Sequence, residues 1–494
     1  MISPHLPALQ VVVPLMSAPI CLLFRRVPAA NFVIATVVSW FCLATSISIL
    51  MQVMSGGTIV YEMGNWAPPW GIEYRIDYAN AFVLVIVSAI AAVVVPYSWQ
   101  SVNREISQRR IYVFYVLMMV NLTGLLGISI TGDAFNLYVF LEILSLSTYG
   151  LISMARDRRA LTASYRYLIM GTVGATFYVI AVGLMYMMTG TLNMADLAER
   201  LPAVAHTRTI EAALAFLTVG IGLKMAMFPL HTWLPNAYTQ APSAVSAFVA
   251  STATKVAVYA MIRMYFTVFG EVDVIKTMPI HEVLLGLALI AMFAASFVSI
   301  FQENVKRLLA YSSVAQIGYM VLGISMDSVP GLTGSILHLF NHAAMKCALF
   351  LAVGCVFYRI GSVKISDFAG LGKRMPLTMA AFVVGGLSLI GMPLTVGFVS
   401  KWYLIQAALE KGWWIVAVLI VLSSLLAVIY IWRVVEAAYF RAPPEGAAEV
   451  SEAPLALLIP TWIMALASLY FGIDGTTTAN VAQAAAMALI GGAQ

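Results

Sequence analysis

Charge is scarce in this chain. Only 10% of its 494 residues are Asp, Glu, Lys or Arg, against about 25% in ordinary soluble domains. With 62% of residues apolar, that balance excludes a soluble globular protein. Cysteine is scarce too. Cys21, Cys42, Cys347 and Cys355 all fall in apolar segments and make no CxxC pair, so they read as small packing residues and not as disulfide partners or metal ligands. The chain lacks a haem-binding CxxCH, an iron–sulfur cysteine pattern and a dinucleotide fingerprint, so no cofactor is expected. GIGLK around Gly220 and Gly222 lies inside an apolar run and lacks phosphate-loop spacing. The longest polar stretch, about Ser55 to Tyr78, is too short for a nucleotide-binding domain. The net charge of +5 follows membrane loops and implies no nucleic acid.

What the chain has is long apolar runs. A window of about 19 residues yields about fourteen spans, and the expected fold is an all-α polytopic membrane protein. The first span, 7–24, has no charged leader region or cleavage motif and reads as a retained span. The seventh, 209–228, and the twelfth, 377–409, contain or abut prolines. Odd-numbered loops hold most of the arginines and lysines, among them Arg25, Arg26, Arg104, Arg109, Arg110, Arg156, Arg158, Arg159, Lys306 and Arg307. Even-numbered loops hold only Arg75, Arg200, Arg208, Lys276 and Lys411. The positive-inside rule then places both termini on the outer side of a bacterial-type inner membrane. Three regions are expected: a three-helix region at 1–111, a core at 112–440, and a last span with its tail at 441–494. The Ala-rich tail after Asp474 reads as an interfacial helix or as disorder.

Against that apolar background a few polar residues stand where charge is costly. Glu142, Lys224, Lys255, Lys346 and Lys401 lie inside apolar segments, joined by His338 and His342. A Lys or Asp at a helix centre costs about 2.5–3.5 kcal/mol on insertion scales, so such residues usually pair, bind ions or pass protons. Lys224 precedes Pro229, whose missing N–H should open the helix near Met225. Lys401 follows Pro393 in a second interrupted segment. Paired broken helices in two halves mark inverted-repeat transporters. Lys255 sits among small residues that permit close helix approach. His338, His342 and Lys346 recur every four residues, each step advancing about 40°, so they share a face. A zinc site is the competing reading for the histidines, but no HExxH or third ligand accompanies them. Each buried charge also has a purely structural reading: a neutral glutamate, a counter-ion lysine, or a lysine reaching for the interface. Tyr311, Ser312, Ser313 and Gln316 in KRLLAYSSVAQIGYM read equally as a hydrated path or as interhelical glue. Lys306 and Arg307 ahead of them read as a water-exposed helix start.

The strings FNLYVFLEILSLSTYGL, GLKMAMFPLHTWLPNAY, APSAVSAFVASTATKVAVYA, KRLLAYSSVAQIGYM and HLFNHAAMKCALFLAVG together resemble the antiporter-like subunits shared by Mrp-type cation/proton antiporters, respiratory complex I and membrane-bound hydrogenases. The resemblance implies two inverted five-helix repeats with broken helices seven and twelve. It implies that Glu142 and Lys224 form a pair on helices five and seven, that Lys255 is the connecting lysine of helix eight, that His338 and His342 occupy the polar positions of helix eleven, and that Lys401 is the terminal residue of helix twelve. The implied mechanism is proton movement along this axis, driven by changes in the Glu142–Lys224 attraction. The implied partners are other membrane subunits of the same complex, protons, the lipid bilayer and, as an open alternative, Na+ or K+. Lys401 stands where the complex I M-type subunit usually has glutamate, which favours a D-type Mrp subunit. The histidine face is more like the largest subunits of these complexes. A proton-pumping subunit of complex I or of a hydrogenase is the alternative.

Overall fold

The computed structural model describes residues 3–270, 272, 278–443 and 450–491. Lys276, counted above with the even loops, lies outside them. Two helices, α1 (Leu6–Leu23) and α2 (Pro28–Gly56), precede a hairpin of β1 (Ile59–Glu62) and β2 (Glu73–Ile76). Then follow α3 (Tyr78–Glu105), α4 (Ile111–Ile130), α5 (Ala134–Ser153), α6 (Arg159–Thr189), α7 (Met194–Val204), α8 (Arg208–Met225), α9 (Trp233–Gln240) and α10 (Ser243–Arg263). The second half holds α11 (Ile280–Ile300), α12 (Val305–Ser325), α13 (Val329–Ile360), α14 (Pro376–Ile390), α15 (Val396–Glu410), α16 (Trp414–Phe440), α17 (Leu455–Ile473) and α18 (Thr476–Gly491). Among the described residues, twelve helices are long and apolar enough to cross a membrane. The chain is a multi-pass membrane protein.

Burial sorts these helices into a core and a rim. The membrane-length window of α10 is wholly buried and that of α12 is 94% buried, whereas α1, α2, α6, α11, α16 and α17 reach only 39%. Helices with small and polar residues on every face therefore sit at the centre, where protein can satisfy them. The rim helices present Leu, Ile, Val and Trp to the outside, as a lipid-facing surface requires.

Both expected interruptions are present. The seventh segment divides into α8 and α9, and the twelfth into α14 and α15. At the first break Ala226 takes a left-handed φ of 59°, unusual for a residue with a Cβ. The Trp233 indole N–H donates to the Leu223 carbonyl at 2.9 Å, satisfying an acceptor at the end of α8. At the second, Gly391 has φ +91°, and Gly397 has no room for a Cβ, which would stand 1.8 Å from the Ser388 carbonyl oxygen. Glycine is needed at both positions.

Three features differ from the sequence reading. The Ser55–Tyr78 loop contains an antiparallel hairpin, Ile59 opposite Ile76 and Glu62 opposite Glu73. It is tied to the α4–α5 turn by the Gly132 N–H, which donates to the Glu73 carbonyl at 3.0 Å. The linker before α8 forms α7, capped by the Asn193 side chain. The Ala-rich tail is not disordered through 491: it forms α18, which packs on α13 and α3, with Ala482 and Ala486 fully buried. Small side chains make this close docking possible.

Candidate functional site

Glu142 projects from α5 and Lys224 from the last turn of α8. The Lys224 ammonium donates to Glu142 Oε1 at 3.0 Å and to the Ser145 hydroxyl at 2.7 Å. The pair is asymmetric. The Lys224 side chain is 4% exposed and that of Glu142 24%. Lys224 therefore points into the bundle and Glu142 towards its surface. Ser145 lies one turn after Glu142, so α5 supplies both acceptors from one face.

Lys255 lies at the centre of the wholly buried α10 and is 1% exposed. Its ammonium donates to the Ala250 carbonyl and, at 3.3 Å, to the Thr254 hydroxyl. No ion pair reaches it among the described residues, and the side chain does not extend to an interface. The Lys255 charge lies within electrostatic reach of His338, His342 and Lys346.

On α13, His338, His342 and Lys346 are all fully buried. His338 uses both ring nitrogens: Nε2 lies 2.9 Å from Gln316 Oε1 on α12, and Nδ1 lies 2.8 Å from the Ser400 hydroxyl on α15. Gln316 Oε1 only accepts, so His338 Nε2 carries the proton in this arrangement. The His342 ring stacks parallel to His338, centroids 6.0 Å apart, and neither of its nitrogens has a partner among the described residues. Lys346 donates to the Leu309 carbonyl at 2.7 Å and the Ser312 hydroxyl at 2.5 Å. The polar run of α12 thus faces the relay candidates through Ser312 and Gln316, while Tyr311 is only half-buried.

Lys401 completes the row. Its ammonium donates to the Ile390 carbonyl at 2.9 Å and the Leu389 carbonyl at 3.2 Å. These are the last carbonyls of α14, freed by the break and carrying the negative end of that helix dipole. The Tyr319 ring lies 4.8 Å from the ammonium, within cation–π range. The Lys401 charge also reaches His338. Lys224 and Lys401 each lie on an interrupted helix but are held differently: Lys224, on the first half of its segment, bonds Glu142 and Ser145 of α5, and Lys401, on the second half of its own, bonds the last carbonyls of the first half.

Residues 131–427 match the family model described as NADH:quinone oxidoreductase/Mrp antiporter, TM. The chain belongs to that family. It is 40% identical to an NADH-quinone oxidoreductase subunit N of Desulforudis audaxviator, over 95% of this chain and 96% of the relative. It is 29% identical to the D-type subunit of the Na(+)/H(+) antiporter of Bacillus subtilis, over 94% of this chain and 93% of the relative. A chain in the structure of the Mrp complex from Dietzia sp. superposes with a TM-score of 0.91 at 25% identity, covering 99% of this chain and 98% of its own. The relatives' names thus divide between the D-type antiporter reading and its alternative.

Within this antiporter-like subunit, sequence reasoning misplaced one lysine and missed one arginine. Lys306 is not water-exposed. It is 3% exposed, donates to the Ala241 carbonyl at 3.1 Å and stands 5.4 Å from the Phe357 ring. The turn before α10 folds over it, which a span boundary drawn from hydropathy does not show. Arg263, at the end of α10, is 7% exposed and forms a two-pronged ion pair with Asp77 at 2.7 and 2.9 Å. Its signal was present in the sequence: Lys255, Tyr259 and Arg263 recur every four residues, the spacing that singled out the α13 residues.

Proposed function

We propose that this chain is a proton-translocating membrane subunit of a multisubunit complex. Protons move along Glu142, Lys224, Lys255, His342, His338 and Lys401, with Lys346 modulating the centre of the row. The observation that carries this reading is the row itself. Four buried lysines and two buried histidines come from α8, α10, α13 and α15, yet only Lys224 has a carboxylate partner among the described residues. A fold that needed charge only for rigidity would pair it, because an uncompensated buried charge is costly. Lysines held by carbonyls and hydroxyls, and a histidine whose two ring nitrogens have no partner among the described residues, suit groups that exchange protons.

The proposed coupling step is local. While Glu142 and Ser145 hold the Lys224 ammonium, its charge is kept at the α5 side. Protonation or withdrawal of Glu142 releases that charge towards α10. The proton on Lys255 is then destabilised and passes to the histidines and on to Lys401. The two interrupted segments supply the remaining crossings of a fourteen-span chain, and the recurrence of an interrupted helix with a buried lysine in each half of the chain supports two inverted repeats.

The complex we favour is a monovalent cation/proton antiporter, on whole-chain likeness to the Mrp structure. The 40% identity to a subunit N supports the second reading, a proton-pumping subunit of an NADH:quinone oxidoreductase-type complex. Affinity purification of the tagged subunit separates them. Small antiporter subunits among the companions support the first, and flavin and iron–sulfur subunits the second. The relay is tested by Lys255→Ala in inverted vesicles, with exchange or pumping normalised to assembled complex. Transport is expected to be lost, and near-parental transport would overturn the role of Lys255.

A further inference from the structure

Arg263 is bonded unlike any residue of the proposed relay. Its Nη1 donates to Asp77 Oδ2 at 2.7 Å and to the Thr267 hydroxyl at 3.0 Å. Its Nη2 donates to Asp77 Oδ1 at 2.9 Å and to Asn80 Oδ1 at 2.6 Å. Its Nε donates to the Tyr259 hydroxyl at 3.2 Å. A guanidinium has five N–H donors and does not lose its proton in proteins. Here five acceptors meet all of them.

The surroundings hold this arrangement fixed. Asp77 also caps α3, accepting from the N–H groups of Ala79 and Asn80 at 2.9 and 3.1 Å. Asn80 Nδ2 donates to the Ser129 carbonyl and to Tyr259 Oη, both at 2.8 Å. The backbone widens into a π turn at Met264–Val268 directly after Arg263, and that turn carries Thr267. Such turns often mark functional positions in helices.

The network stands at one end of a polar row. Lys255, Tyr259 and Arg263 are each four residues apart on α10, so they share a face and span about 12 Å of its length. Lys255 lies at the inner end and the Asp77–Arg263 pair closes the end beside the hairpin. A group that cannot give up its proton, with every donor already engaged, offers no step in a hydrogen-bonded proton wire.

We infer that the Asp77–Arg263 pair is a seal on the hairpin end of α10. It blocks a direct path between Lys255 and the adjacent aqueous side, so charge on Lys255 must leave sideways through the α13 histidines. Without it, the same lysine would reach water by the short route along its own helix and the complex would leak. This rests on the reading of Lys255 as a proton carrier. Arg263 is a positioning residue that never carries the proton.

The test is passive proton permeability of the whole complex in proteoliposomes, under a potassium-diffusion potential and without transported cation or redox substrate. Arg263→Gln is expected to raise the proton leak severalfold over the parent. Adding Lys255→Ala to it is expected to return the leak to the parental rate, because the leak runs through that lysine. General loosening of the bundle would leave the double variant as leaky as the single one. That outcome overturns the seal, and so does an assembled Arg263→Gln complex as tight as the parent. If Arg263→Gln does not assemble, Arg263→Lys, which keeps a cation but one that can give up its proton and cannot fill all five acceptors, carries the same expectations. Transport by Lys255→Ala alone separately reads the proposed relay, so a tight Arg263→Gln complex alongside a dead Lys255→Ala one removes only the seal.

Discussion

At the scale of residues, the buried charges fall into two kinds. Lys255, Lys346 and Lys401 lean on carbonyls and hydroxyls, while Arg263 is locked by a carboxylate and three further acceptors. The lock has a pH signature. Burial raises the Asp77 carboxyl, but the Arg263 guanidinium and the N–H groups of Asn80 and Ala79 outweigh it and hold the group below the usual carboxylate range. A depressed folded value stabilises the protein at pH above the unfolded value of about 3.9, and that stability is lost as pH falls through the folded value. The difference in Tm between parent and Asp77→Asn is therefore expected to stay level from neutrality to about pH 4 and to close below it. A difference already fading near pH 6 would contradict the lock. Lys306→Ala is expected to cost about 1–3 kcal/mol, since it removes a charged donor from a buried carbonyl. Thermal unfolding of the purified complex measures it, and an unchanged Tm would show that the lysine is dispensable.

At the scale of elements, proline does not decide alone where a helix breaks. Pro96 and Pro460 lie inside continuous helices. The segments containing Pro229 and Pro393 are interrupted. What distinguishes the latter is a left-handed residue at the break and a side chain that takes up a freed carbonyl: Trp233 at the first, Lys401 at the second. Gly391→Ala is expected to cost about 1–3 kcal/mol for a left-handed non-glycine. Its Cβ would also stand 3.0 Å from Lys401 Cδ, so transport should fall by more than assembly does. Equal falls in both, by vesicle transport and quantification of the complex, would make the break merely structural.

At the scale of the whole molecule, the N-terminal α3 and the C-terminal α17 and α18 close round α13. The Ala486 face of α18 is buried and Ala488 is exposed. Ala486→Trp is expected to destabilise by about 1–3 kcal/mol through overpacking, and Ala488→Trp by much less. Thermal stability of the two purified variants compares them, and equal effects would mean that α18 is not docked as described.

The sequence by itself determined the membrane class, the two interrupted segments, the family and the buried residues on which a relay can be built. Scarce charge inside long apolar runs is legible without coordinates, because its cost is set by the solvent and not by the neighbours. The Glu142–Lys224 pair was also expected, since each charge is expensive alone. Only the tertiary structure decided which residues are held and which are left free. It gave His338 the Gln316 and Ser400 side chains, left both His342 nitrogens without a partner among the described residues, buried Lys306 and joined Arg263 to Asp77. Those contacts link helices far apart in sequence. Hydropathy reads each helix alone, whereas a hydrogen bond between helices depends on their packing and rotation.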